Sequence, residues 1–360
     1  MLKMNTTKAH GYKWIPLLGK FEETTNGLTF KGQELPSPPS NASEKQPLPS
    51  SPRRKTKAKP EEQIIAPRVM MGQAICDQRF TEGRISAQIE FDEVDYRSMA
   101  DILIQYDPAS EELLSVSLGG GGTSFVSLRL WTTIQNEANQ TPNQRAPKAW
   151  KYLRSGGERA NLSAKRPYNL EILVRGSAIT LIIDGVEIAT EVLPFQLPGK
   201  QVGVFAAGHK DIHFRNFIVE PIRPQVFVVM QFNTPAYDAL FNDVITPVCE
   251  EVGLRVFRAD FTHLPGIVIS DLTKQIAESR VVIAEITPVN GNVYYEVGYA
   301  DALRKPLILI ADKTVEALPF DVRPYRTIFY ENSIGGKNKV QETLTKFLKN
   351  IMSSQPLSEY

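Results

Sequence analysis

RVVIAEITPVNGNVYYEVGYADALRKPLILIAD, residues 280–312, decides how the last third of the chain folds. RVVIAEIT and PLILIAD read as strands, and the segment between them, from about Val293 to Arg304, reads as a helix. The same alternation continues outward. QVFVVMQF (225–232) is an unbroken apolar run, as expected of a parallel strand buried on both faces. Behind it Tyr237, Leu240, Phe241, Val244, Ile245, Val248, Cys249 and Val252 define one helical stripe, closed by Gly253 as a cap. LRVFRAD (254–260) is a second strand, followed by a helix from about Ile267 to Ser279. RTIFYE (326–331) is the fifth strand. A final amphipathic helix carries Val340, Leu344, Phe347, Leu348 and Ile351 on one face. Five strands alternating with helices predict a flavodoxin-like, doubly wound parallel sheet over 223–352, with 353–360 as a tail.

Upstream the period changes. ISAQIEF (85–91), ADILIQY (100–106), LLSVSL (113–118), SFVSLRLW (124–131), YNLEILV (168–174), AITLIID (178–184) and VEIAT (186–190) are short strands punctuated by Gly and Pro. Asp184-Gly185 between two alternating runs is a hairpin signal, because that pair accepts positive φ. The series predicts a β-sandwich of jelly-roll type over 68–222. The fold class is therefore multidomain, a β-sandwich followed by α/β. Residues 35–67 are rich in Pro, Ser, Lys and Glu and read as a flexible insertion. Its basic run Arg53–Lys59 is read as a solvated linker ahead of a nucleic-acid tail. Before it, within 1–34, Trp14, Ile15, Leu17, Leu18, Phe21, Leu28 and Phe30 can form strands that join the β domain.

A chain of 360 residues suits two domains. Its formal net charge of +1 gives no bulk argument for nucleic acid or an anionic membrane. Cys76 and Cys249, far apart in sequence, imply no disulfide framework and fit a reducing compartment. The N-terminal stretch lacks a signal-peptide core, and no apolar stretch approaches the roughly 20 residues of a membrane span. A soluble, cytoplasmic protein is expected.

Ligands of open parallel sheets bind beyond the carboxyl ends of the strands, where strand order reverses. The residues there are Gln231 and Phe232 after the first strand, and Arg258, Ala259 and Asp260 at the second. After the third come Thr287, Pro288, Asn290, Gly291 and Asn292. Asn292 is the expected N-cap of the next helix. Glu296 follows among Val, Tyr, Gly and Ala, so partial burial should raise its pKa and make it a candidate acid, base or nucleophile. A Glu in the first turns also suits the helix dipole, and spacing alone leaves both readings open. Gly298, Ala300 and Ala302 allow close helix–sheet packing.

The run FVVMQF, RAD, IAEIT, NVYYEVGYADAL, KPLILIAD, LPFDV (about 225–331) resembles the nucleoside 2-deoxyribosyltransferase-like branch of TIR-like domains. The resemblance implies that Glu296 works at an anomeric carbon, cleaving NAD at its nicotinamide–ribose bond or transferring deoxyribose between bases. Gln231, Phe232, Arg258, Asp260, Thr287, Asn290, Asn292 and Tyr295 are then the substrate-binding candidates. NAD or a related nucleotide is the substrate, and no cofactor is implied. Related chains often self-associate and serve antiviral defence, so a homo-oligomer is expected. One departure is Glu285, where such sequences usually carry Asp, and its role stays open. No Gly-rich phosphate loop follows the first strand, which argues against an NTP hydrolase.

The β region resembles concanavalin-like jelly rolls of the laminin-G or keto-disaccharide-hydrolase type, through FTEGRISAQIEF, YNLEILVRGSAITLIIDGVEI and IHFRNFIVE. A small-molecule or carbohydrate-like ligand is the implied partner. Glu90 and Asp92 share the solvated face of a strand and are weak candidates for a glycosidase pair. Gly119–Gly122 reads as a flexible connection between strands. Trp131, Trp150 and Tyr152 can form a ligand platform or pack in a core. His10, His209, His213 and His263 are scattered, so no metal site is expected. Three functions follow: an NAD-hydrolysing effector regulated by sensing or assembly through the β domain; a nucleoside transferase or hydrolase; and a non-catalytic nucleotide sensor.

Overall fold

The computed structural model describes residues 11–32, 70–134, 147–231, 234–258, 268–313, 322, 325, 327–331 and 333–353. The insertion expected over 35–67, His10, Phe232, Asp260, His263 and the tail beyond Ser353 lie outside the described residues.

The N-terminal segment contributes β1 (Trp14–Leu18), β2 (Phe21–Thr24) and β3 (Gly27–Phe30). Then come β4 (Met70–Phe80), β5 (Gly83–Phe91), β6 (Met99–Asp107), β7 (Glu112–Gly121) and β8 (Ser124–Thr133). β9 (Lys148–Glu158), β10 (Tyr168–Arg175), β11 (Ala178–Ile183), β12 (Val186–Val192), β13 (Lys200–Gly208) and β14 (Ile212–Pro221) follow. They pair antiparallel in two 7-stranded sheets, β1-β4-β13-β6-β7-β8-β9 and β12-β11-β10-β5-β14-β3-β2. This is a jelly-roll-like sandwich.

Alternation along each strand sends one set of side chains inward. In β5, Ile85, Ala87, Ile89 and Phe91 are buried while Arg84 faces water. They meet Leu170, Ile172, Val174, Phe80, Phe214 and Tyr168 in one core. β1 pairs with β4, and β3 with β14. Leu28 and Phe30 lie in the core, each burial worth about 2 kcal/mol. Asp184 and Gly185 both take positive φ, 50° and 79°, the two-residue turn that matches strand twist.

The glycine run corrects an expectation. It is mostly strand, because β7 continues through Gly121 and the turn is Gly122–Thr123. A Cβ on Gly120 would come within 2.0 Å of Ser117 Oγ. The Gly120 carbonyl accepts from Arg129 Nη1 at 2.8 Å and from the Tyr152 hydroxyl at 3.1 Å. Gly120 supplies close packing, whereas Gly119 and Gly122 take positive φ, 76° and 65°.

The second module runs β15 (Gln225–Val229), α1 (Pro235–Leu240), a π-helical segment (Phe241–Ile245), α2 (Thr246–Glu251) and β16 (Arg255–Arg258). It continues with α3 (Val268–Glu278), β17 (Val281–Glu285), α4 (Gly291–Ala302), β18 (Leu307–Asp312), β19 (Thr327–Tyr330) and α5 (Ile334–Ser353). The sheet is parallel throughout, in the order β16-β15-β17-β18-β19. Val226, Val228, Ile283 and Ile310 face the helices around Val244, Val248 and Leu344 on one side. Phe227, Val229, Val282 and Ala284 face Ile276, Val293, Val297 and Ala300 on the other. The helix expected over 237–252 is thus interrupted. Pro247 has no N–H and its ring would clash with the Asp243 carbonyl, which the wider π turn accommodates. Among the described residues no helix is long and apolar enough to cross a membrane.

Candidate functional site

Strand order reverses at β15, so the carboxyl ends of β15 and β17 form the switch point where an open parallel sheet takes its ligand. The loop after β17 is built on Thr287. Its amide and hydroxyl donate to the Glu285 carboxylate, the amide at 3.1 Å. Its hydroxyl accepts from the Asp312 amide at 2.8 Å, and its carbonyl accepts from the Tyr237 hydroxyl. Thr287, predicted as a binding residue, therefore spends most of its polar capacity holding the loop.

Glu285 is 1% exposed. Burial pushes its pKa to about 7 against the hydrogen bonds from Thr287 and Tyr330, with Asp312 adding to the rise. Tyr330 donates to it at 3.5 Å. Burial, then the nearby Glu285 and Asp312 carboxylates, push Tyr237 up to about 12. Tyr237, Asp312 and Tyr330, with Thr234 and Lys337, line a cavity of about 130 Å³.

α4 starts at the other side of this loop. Its N-cap is Asn290, whose side chain accepts from the Asn292 amide at 2.9 Å. This corrects the expected cap at Asn292: Asn290 has extended backbone angles and Gly291 already begins the helix. Val293, Val297 and Ala300 form the buried stripe. Glu296 is three residues after the first and four before the last, so it lies on that stripe where an apolar side chain would ordinarily sit. It is half-buried, and no hydrogen bond or ion pair holds its carboxylate among the described residues. Burial alone pushes its pKa to about 7.

On the same helix, toward Glu285, the Tyr294 hydroxyl is buried without a hydrogen-bond partner among the described residues. Burial and then Glu285 raise its pKa. Tyr295, the tyrosine expected to bind substrate, is 54% exposed, whereas Tyr294, not singled out in the sequence, has its hydroxyl buried. The helical phase set by Val293 and Val297 is the signal that could have separated the two.

Gln231 is half-buried at the end of β15. Arg258 ends β16 buried, donates to Asp238 Oδ1 at 2.9 Å, and stacks 4.4 Å from the Phe241 ring centroid. It is thereby fixed against the first helix. Asn290 and Asn292 flank the loop, both away from the core. Phe232 and Asp260 cannot be placed, lying outside the described residues.

The weaker candidates in the sandwich are engaged elsewhere. Glu90 accepts from Arg215 at 2.6 Å, and Asp92 meets His213 Nε2 at 3.1 Å, whose Nδ1 meets Thr29 at 3.0 Å. Trp150 lies 5.2 Å from Trp131 and 3.8 Å from the Arg129 guanidinium, covering that charge. Among the described residues no cluster of three or more His, Cys, Asp or Glu could hold a metal.

No protein-family profile matches the chain, and no curated protein does. Solved structures do. A carbohydrate-binding module from Bacillus subtilis aligns over 59% of this chain and 95% of its own, at 9% identity and TM-score 0.35. A CMP N-glycosidase from Clostridium botulinum aligns over 33% and 97%, at 21% identity and TM-score 0.27. A Bacillus licheniformis β-glucanase aligns over 41% and 75%, at 12% identity and TM-score 0.26. At these values they are similarities alone, and the two-module fold rests on the strand pairing above.

Proposed function

We propose that the α/β domain hydrolyses NAD at the nicotinamide–ribose bond, with Glu296 at the anomeric carbon. The observation that carries the reading is Glu296 itself, a carboxylate on the buried stripe of α4, unpartnered among the described residues and pushed to about 7 by burial alone. Removing such a group from water costs free energy that nothing nearby returns. A cationic ligand completes the arrangement. The nicotinamide ring of NAD is a cation, so its approach draws the proton from Glu296 and leaves a carboxylate beside the bond that breaks. That anion acts as nucleophile or stabilises the oxocarbenium-like centre. Nicotinamide leaves as a neutral base, so no strong general acid is required. Water then takes its place at the ribose, giving ADP-ribose and a proton.

The strand order supports a flavodoxin-like, TIR-like reading of the domain, with the unpartnered Tyr294 hydroxyl as a further ligand contact. In this reading the sandwich senses a carbohydrate-like or other small ligand, or drives self-association, and the chain serves antiviral defence in the cytoplasm.

Glu285 favours a second reading, deoxyribosyl transfer or nucleoside hydrolysis. A carboxyl group protonated up to about pH 7 can protonate a base that leaves less readily than nicotinamide.

The test is product analysis after incubation with NAD and, separately, with deoxynucleosides. Wild type should release nicotinamide, and Glu296→Gln should lose on the order of 10³-fold in turnover. Release undiminished in Glu296→Gln sinks the assignment. Base exchange without NAD cleavage selects the second reading. Nucleotide binding that survives Glu296→Ala, with no turnover in wild type, selects a non-catalytic sensor.

A further inference from the structure

A buried, charged contact joins the two modules at the amino ends of β17 and β18, the opposite end of the sheet from the Asn290 cap of α4. Lys305, 5% exposed, donates from Nζ to Ser177 Oγ at 3.0 Å, to the Ala277 carbonyl at 2.6 Å and to the Ser279 carbonyl at 2.7 Å. Ser177 belongs to the β10–β11 turn of the sandwich, and its amide donates to the Ala277 carbonyl at 3.1 Å. Arg280 donates to the Leu197 carbonyl at 3.0 Å, and its own carbonyl accepts from Gln196. Glu82, 1% exposed in the β4–β5 turn, faces Arg280 at 4.0 Å. At the rim Arg175 pairs with Glu278 at 3.6 Å.

Three features set this contact apart from an ordinary linker. The groups are charged and out of water, which is costly unless geometry is held. Glu82 Oε1 and Arg280 Nε lack hydrogen-bond partners, and burial pushes Lys305 down to about 7. Gly176, at φ +55°, lets the turn approach so closely that a Cβ would sit 2.5 Å from the Ser279 carbonyl oxygen. The junction also connects with the site. Lys305 follows α4 directly, its amide donating to the Ala300 carbonyl at 3.0 Å. α4 has 12 residues, so it spans about 18 Å from the junction to the Asn290 cap.

We propose that this junction locks sandwich and α/β domain into one body, with Lys305 the positioning residue that ties the sandwich to α4 and so sets the seat of Glu296. A change of state in the sandwich then reaches the site through a rigid helix. The proposal uses the Glu296 reading only for its effect on turnover; the coupling itself needs no substrate.

Calorimetry and hydrogen–deuterium exchange on the full chain test it. Wild type should unfold in one transition and Lys305→Met in two. Ser177→Ala, a change on the sandwich, should speed exchange at 291–296 roughly three- to tenfold while β7 is unchanged. A purely local role would move amides near 300–306 and leave 291–296 alone. Ser177→Ala should also lower kcat for NAD with KM held. Two independent transitions in wild type, or unchanged exchange at 291–296 in Ser177→Ala, overturn the proposal. Ser177→Ala decides the matter if Lys305→Met does not fold. A wild type that releases no nicotinamide would remove the NAD reading and leave the exchange result standing.

Discussion

In the sandwich, the Asp101 carboxylate is fully buried and accepts from Arg129 Nη2 at 2.8 Å, from Nε at 3.2 Å and from the Ser115 hydroxyl at 2.7 Å, with Trp150 covering the guanidinium. In the α/β domain, Glu296 is less buried, and among the described residues nothing pairs with it. The first arrangement is saturated: each charge is matched inside the protein, so there is nothing left for a ligand to do. The second is open. A group kept out of water and left unmatched is the place where binding can return free energy. The contrast makes Asp101 part of the scaffold and leaves Glu296 as the carboxylate on which the proposed chemistry rests.

The largest expected effect breaks the saturated side. Arg129→Met leaves Asp101 buried with Ser115 as its main partner, and should cost about 3–5 kcal/mol in denaturant unfolding. Replacing both members by apolar residues of similar size should recover most of that loss. A small effect of Arg129→Met would mean that Asp101 is not held as a charge.

The open side should respond in the opposite direction. The folded-state pKa of Glu296 lies above that of the unfolded chain, about 7 against 4.5. Its contribution to stability is therefore full below 4.5 and is lost as pH rises through about 7. Glu296→Gln removes this loss and should be more stable than wild type at pH 8 by on the order of 1 kcal/mol, after discounting for its partial exposure. Melting temperatures at pH 4.5 and 8 check it, and equal values at pH 8 would mean the carboxylate is not desolvated. A variant that loses activity while gaining stability is the mark of a site.

The smallest effect sharpens the comparison at the mouth of the site. Asn290→Ala removes the cap of α4 and should cost about 0.5–1 kcal/mol, seen as faster amide exchange confined to the first turn. Exchange spreading along the whole helix would show that the cap, rather than the junction at Lys305, fixes α4.

Much of this was legible in residue patterns. The alternation in β5, the apolar run of β15 and the stripe on α4 each follow from one period repeated over several residues, and period is a local property. Glu296 stood out for the same reason, as a charge on a stripe of small and apolar residues. Other features were hidden because they depend on single events. Pro247 breaks into a π turn a helix that its neighbours' spacing declares regular. Asn290 and Asn292 are chemically equal as caps, and the geometry of the preceding turn chooses between them. Glu285, one methylene longer than the expected Asp, is taken up by Thr287 and Tyr330 in a way no spacing announces.

The sequence by itself determined that there are two modules, where one gives way to the other near Pro221, and which helix carries the carboxylate. Periodicity fixes which faces must be buried, and burial of apolar faces is what makes strands and helices assemble. Only the tertiary structure decided which charges are matched. It brought Asp101 to Arg129, gathered Glu82, Arg280 and Lys305 at the junction, and left Glu296 and the Tyr294 hydroxyl unpartnered among the described residues. Pairing of this kind depends on distances of a few ångströms between residues remote in the chain, and no local pattern encodes them.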